Sequence, residues 1–172
     1  MKTSRALTRT ALFAVVTLVA GLIRLPIGPI PLTFQSLAVL LAGLLLSTRE
    51  AFYAMCLHLV LKILISGSGV VFSPSFGFVI GFIPAASLLA MLNRKPGTGR
   101  TSRFLHLMLA SAVLYVVGLP YMAALLYPIS SMTGPDWIGV IKTGMLVFLP
   151  GDLFKALLAL VIAERVSPLL TQ

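Results

Sequence analysis

Apolar runs, each bounded by a small cluster of proline, glycine, serine or charge, follow one another along most of this 172-residue chain. A water-soluble domain needs roughly a quarter of its residues charged to clothe its surface. Here 10% are charged and 59% hydrophobic, so the exterior must be as apolar as the interior, a condition met in lipid. At ~20 residues per helical span with short connections, this length allows about six spans and no second domain. The expected fold is an all-α membrane protein: one domain over residues 1–172, built as a bundle of six transmembrane helices.

Proline and glycine clusters place the spans. The first ends near Ile23, before Arg24-Leu25-Pro26-Ile27-Gly28-Pro29-Ile30-Pro31. A second runs from Leu32 to Leu46 and a third from Ala51 to Ile65, where Ser66-Gly67-Ser68-Gly69 stops it. The fourth, Phe76 to Leu92, follows Ser73-Pro74-Ser75. Beyond the polar stretch from Asn93 to Arg103, a fifth covers Phe104 to Tyr127. The sixth follows a turn-rich loop, Pro128 to Pro135, and runs from Ile138 to Val166 with an interruption at Pro150-Gly151. The second and third runs are short for a full span, so they borrow length from their flanks or sit where the bilayer is thin. Lys2, Arg5 and Arg9 ahead of the first run resemble a signal peptide, but the run ends in Ile23-Arg24-Leu25-Pro26 with no small-x-small cleavage site. It is read as the first span.

Charge orients the bundle. With the N-terminus inside, the cytoplasmic segments hold Lys2, Arg5, Arg9, Arg49, Arg94, Lys95, Arg100, Arg103 and Arg165. Arg24, Lys62, Lys142 and Lys155 fall at the outer side. That asymmetry predicts both termini in the cytoplasm. The formal charge of +9 therefore reads as an anchor toward anionic lipid, and no nucleic-acid partner is expected.

Several chemistries are excluded. No G-x-x-x-x-G-K-[ST] loop is present, and no His/Cys/carboxylate group has metal-ligand spacing. His58 and His106 stand singly in apolar helices and read as packing residues, and the lone Cys56 reads as a small core or lipid-facing residue. Neither G-x-S-x-G nor a plausible base accompanies the serines. No enzyme activity, metal or cofactor is expected.

The informative residues are the charges left inside the bundle. Asp152 and Lys155 lie within the last apolar run, where each costs about 2.5–3.5 kcal/mol at a span's centre. Three apart on a helix, they share a face and partly neutralise each other, which alone would make them a structural ion pair. Pro150-Gly151 just upstream frees backbone groups, a feature membrane helices tolerate beside a cavity. Together these features suit a small polar ligand entering from outside. Lys62 and Arg24 would help attract an anion; read singly, each is a cation snorkelling to the interface. Ser73-Pro74-Ser75-Phe76-Gly77-Phe78 offers helix N–H groups and aromatic faces, or simply a helix-starting turn. Thr10, Ala14 and Gly21 place small residues on one face of the first span, suited to close helix packing.

Three stretches carry a family likeness: Ile30-Pro31-Leu32-Thr33-Phe34-Gln35-Ser36, Ser73-Pro74-Ser75-Phe76-Gly77-Phe78, and Leu149-Pro150-Gly151-Asp152-Leu153-Phe154-Lys155. In them, and in length and span count, the chain resembles BioY, the biotin-binding S-component of energy-coupling-factor (ECF) vitamin importers. The resemblance implies an outward-facing biotin pocket in the cytoplasmic membrane and no ATPase of its own. Transport would then need a transmembrane coupling protein and ATP-binding ATPase subunits. By the motif match, Asp152 and Lys155 correspond to the polar residues that hold biotin, and Gln35 belongs to the P-x-T-x-Q stretch. Ser75 and Gly77 hold the threonine and glycine places of a Pro-Thr-x-Gly-Tyr pattern. Phe78 stands where many members have tyrosine, keeping a ring and losing a hydroxyl. A Gly-Leu-Pro-Val-Phe stretch of longer members is missing after the third span, where Lys62 and the Ser66–Gly69 loop are the local substitutes. Two alternatives stay open: an S-component for another vitamin, and a structural membrane protein whose Asp152–Lys155 pair only stabilises the bundle.

Overall fold

Helix ends fall where the sequence supplies caps and breakers. The computed structural model describes residues 2–25, 31–94, 98–126 and 135–170. Helix α1 covers Lys2–Ala20, α2 Gln35–Leu45 and α3 Thr48–Ser66. A 3-10 turn, Ser68–Phe72, leads into α4, Phe76–Asn93, and then α5, Arg100–Leu126. The last run holds α6 (Trp137–Ile141), a π-helical turn (Lys142–Leu146) and α7 (Leu149–Leu170). Between α1 and α2, β1 (Arg24–Leu25) and β2 (Leu32–Thr33) pair antiparallel, Arg24 opposite Thr33. Parts of three predicted connections, residues 26–30, 95–97 and 127–134, lie outside the described residues.

The third run starts earlier than expected because Ser47 and Glu50 close a reciprocal capping box. The Ser47 hydroxyl accepts from the Glu50 N–H at 3.2 Å, and the Glu50 carboxylate accepts from the Ser47 N–H at 2.8 Å. The second run, by contrast, yields only 11 helical residues, about 16 Å at 1.5 Å per residue. Among the described residues, three helical stretches are long and apolar enough, by length and composition, to cross a membrane: Phe76–Asn93, Arg100–Leu126 and Trp137–Pro168.

The break in the last run precedes Pro150-Gly151 instead of falling on it. Pro150 sits in the first turn of α7, where a missing N–H costs no helical bond. The chain bends upstream, through the π turn and Val147–Phe148. That bend presses Gly144 onto α5: a Cβ there would lie 2.7 Å from Leu119 Cδ2 and 2.8 Å from Met122 Sδ.

Small residues set the packing of the core. Ala38, Ala42, Ala85, Ala86, Ala90 and Ala110 are buried, so α2, α3 and α5 approach α4 closely. Gly77 of α4 faces Tyr121 of α5, and Gly118 of α5 faces Phe78 of α4, a reciprocal fit. On α1, Ala14 is buried and Thr10 half-buried, Gly21 just past its end is buried, and this helix packs on α3 and α2. Outward, Leu12, Val16, Val19, Leu64, Val116 and Phe154 are exposed, an apolar exterior suited to lipid.

Polar ties collect at one end of the bundle. Arg9 pairs with Glu50 at 3.4 Å, Arg100 with Glu164 at 3.3 Å, and Asn93 Nδ2 donates to the Leu44 carbonyl at 3.2 Å. The opposite end holds the β pair, the 3-10 turn and the start of α6.

Candidate ligand-binding site

One turn of α7 brings Asp152 and Lys155 onto the same face, and α2 and α5 close around them. Lys155 Nζ donates to Asp152 Oδ1 at 3.0 Å and to Ser36 Oγ at 2.9 Å. Ser36 Oγ in turn donates to Asp152 Oδ1 at 3.4 Å. The Tyr115 hydroxyl donates to the other oxygen, Oδ2. Lys155 is buried, and Asp152 keeps 19% of its side-chain surface exposed. A charge pair so held is neutralised yet still reachable.

What reaches it is a cavity of about 420 Å³. Its polar lining includes Asp152 and Lys155 from α7, Ser36 and Gln35 from α2, Tyr115 from α5, and Ser73 and Ser75 before α4. Phe78, Val79 and Phe82 of α4, Leu114 of α5 and Phe148 supply apolar walls. Phe78 is held edge-on to Tyr115, ring centroids 6.1 Å apart. Lys62 and Ser66 at the end of α3, Val70 of the 3-10 turn and Arg24 of β1 line it as well. Arg24 is anchored by its Nε donating to the Gly21 carbonyl at 2.9 Å. Among the described residues neither Arg24 nor Lys62 pairs with a carboxylate. The cavity thus holds three cationic groups against the one carboxylate of Asp152, a balance that favours an anionic ligand.

Of the eight candidate residues, seven line this cavity: Asp152, Lys155, Phe78, Ser75, Gln35, Lys62 and Arg24. Gly77 is not among the lining residues; it makes room for Tyr121, whose hydroxyl donates to the Val71 carbonyl and ties the 3-10 turn to α5. Ser75 Oγ lies 2.9 Å from Ser73 Oγ. Ser36 and Tyr115 escaped the sequence reading. Neutral hydroxyls in apolar helices raise no alarm, although Ser36 stands inside the P-x-T-x-Q-S stretch. His58 is fully buried, as expected of a packing residue, but it also meets Gln35, Nε2 to Nε2 at 3.3 Å. His106 and Cys56 are half-buried. Among the described residues no group could hold a metal ion. Trp137 lies outside this cavity, on a second, apolar groove between α5 and α6–α7 that shares Tyr115 and Asp152 with it.

An apolar exterior around a buried charge pair and a cavity of mixed lining fits a multi-pass membrane protein. The chain belongs to the BioY family, whose profile it matches over residues 1–172. It is 33% identical to the biotin transporter BioY of Rhizobium etli, across 95% of this chain and 93% of that one. It is 30% identical to a probable biotin transporter BioY of Pyrococcus horikoshii, across 95% and 97%. The fold is that of a crystal structure described as the S-component for biotin from an ECF-type ABC transporter. The TM-score is 0.79 and the identity 23%, with 96% of this chain and 92% of that one covered. The family is one of transporters, not enzymes.

Proposed function

We propose that this protein is the biotin-binding S-component of an ECF-type importer in the cytoplasmic membrane. It would comprise one domain of six transmembrane helices with both termini inside. The cavity takes biotin from the outside, and a transmembrane coupling protein with ATP-binding subunits drives delivery. The observation that carries this reading is the bonded Asp152–Lys155 pair on the wall of a cavity of about 420 Å³, within the range of small-molecule sites. The membrane orientation is supported by the position of the polar ties, Arg9–Glu50 and Arg100–Glu164, at the end of the bundle away from Arg24 and Lys62.

In this reading Asp152 accepts from a ureido N–H, and Lys155 donates to a ligand oxygen. Phe78, Phe82, Phe148 and Leu114 bury the thiophane ring and valeryl chain. Lys62 and Arg24 sit where an anionic carboxylate gains from two cations. The test is competition for labelled biotin on purified protein. Unlabelled biotin should displace it, and thiamine, riboflavin and pantothenate should not; displacement by another of these vitamins would reassign the ligand.

A second reading rests on the completeness of the bonding: Asp152, Lys155, Ser36 and Tyr115 satisfy one another without a ligand. Such a cluster also serves as a structural clamp between α2, α5 and α7. Protein that binds no vitamin would support it.

A further inference from the structure

We propose that His58 is a positioning residue for the cavity, fixing the Gln35 amide so that one N–H and one carbonyl lone pair face the ligand. The proposal builds on the reading above only in using biotin as a probe.

Gln35 opens α2 and lines the cavity, yet its residue is only 7% exposed. Three elements hold its side chain. Gly21, just past α1, lies so close that a Cβ there would stand 2.6 Å from both Gln35 Cδ and Nε2. Thr33 of β2 offers its hydroxyl to Oε1 at 3.5 Å, a long contact. His58 of α3 faces the amide nitrogen at 3.3 Å. His58 itself is fully buried, packs beside Phe82 with ring centroids 5.8 Å apart, and is not among the lining residues. It touches the ligand space through Gln35.

The chemistry of the pair fixes the proton. A carboxamide nitrogen only donates, so the facing His58 Nε2 must present a lone pair. The ring proton then sits on Nδ1, which is buried on the side of the ring away from Gln35. Were the proton on Nε2, the amide would have to flip and offer Oε1 instead, turning its NH2 toward Thr33. The tautomer of a buried histidine therefore sets which face of Gln35 the cavity sees. With Nε2 as acceptor, Gln35 keeps a free N–H and a lone pair on Oε1. That set recognises a neutral group that both donates and accepts, such as a urea or amide.

Two experiments test this. In the first, biotin affinity is measured calorimetrically for His58→Leu, His58→Gln, Gln35→Leu and the His58→Leu/Gln35→Leu double variant. His58→Leu should weaken binding at least about fivefold, and His58→Gln, which keeps an acceptor, should restore it to within about twofold. In the Gln35→Leu background, His58→Leu should have no further effect on affinity, because its influence passes through the amide. Wild-type affinity in His58→Leu, or a full additive loss in the double variant, overturns the proposal. The second needs no ligand: nitrogen NMR of histidine-labelled protein, with His106→Gln to assign the signal. It should find His58 neutral and protonated on Nδ1. A proton on Nε2 overturns the positioning role even if biotin binds as proposed.

Discussion

Replacing Lys155 by methionine leaves Asp152 in place without its cation. Removing one partner of a buried ion pair costs about 3–5 kcal/mol, because the remaining charge stays desolvated. Here the lower end of that range, about 3 kcal/mol, is expected. Asp152 keeps 19% of its side chain exposed, and Ser36 and Tyr115 still donate to its two oxygens. The double variant Asp152→Leu/Lys155→Met removes both charges and should return to within about 1 kcal/mol of the parent, since apolar replacement of a whole pair is often neutral or better. Thermal unfolding in detergent, with and without biotin, reads both quantities. A ligand present at about 100 times its Kd stabilises the folded state by about 2.7 kcal/mol. The parent should show that shift, and the double variant should lose it while remaining stable. Equal stability of Lys155→Met and the parent would refute the geometry of the pair. A biotin shift that survives in the double variant would refute its role in binding.

Three further outcomes follow from named contacts. Gly118→Val forces a side chain against the Phe78 ring, which already lies 2.5 Å from an ideal Cβ, and should cost about 1–3 kcal/mol by overpacking. Because Phe78 walls the cavity, biotin affinity should fall with it, as unfolding and titration of one preparation would show. Glu50→Ala removes the α3 capping box and the Arg9 contact, for about 1–2 kcal/mol of stability, and should leave biotin affinity unchanged because the cap lies at the far end of the bundle. Lys62→Met should reduce the preference for biotin over its methyl ester in competition binding, Arg24 remaining as the second cation; an unaltered preference would place the carboxylate elsewhere.

The legible part of the site was the part with a large energetic signature. Asp152 and Lys155 stood out because charge within an apolar run must be neutralised or used, and Pro150-Gly151 marked an irregularity close by. Gly77, which enters through the motif match, is not among the residues that line the cavity; it meets Tyr121 across a helix contact. Charge alone does not point to Ser36 and Tyr115, whose hydroxyls cost little in a helix and acquire meaning only when α2 and α5 are brought against α7. The bend before α7 was also illegible. Proline is a breaker in mid-helix but a neutral residue in a first turn, and the π turn that decides between them depends on Gly144 meeting α5. His58 read as core, which it is; its contact with Gln35 joins residues 23 apart in the chain and has no local pattern. The apolar runs form helices because lipid demands satisfied backbones over each run, whereas α2 is shorter mainly at its start, where Leu32–Thr33 pair as β2 instead.

The central claim, that biotin occupies the cavity and meets Asp152, is tested most directly by calorimetric titration of the purified protein beside its Asp152→Ala variant. The account predicts saturable binding of one biotin per chain. It also predicts affinity at least tenfold weaker in the variant, about 1.4 kcal/mol, with the helical circular dichroism unchanged. Absence of saturable binding to the parent, or equal affinity in the two proteins, would contradict it.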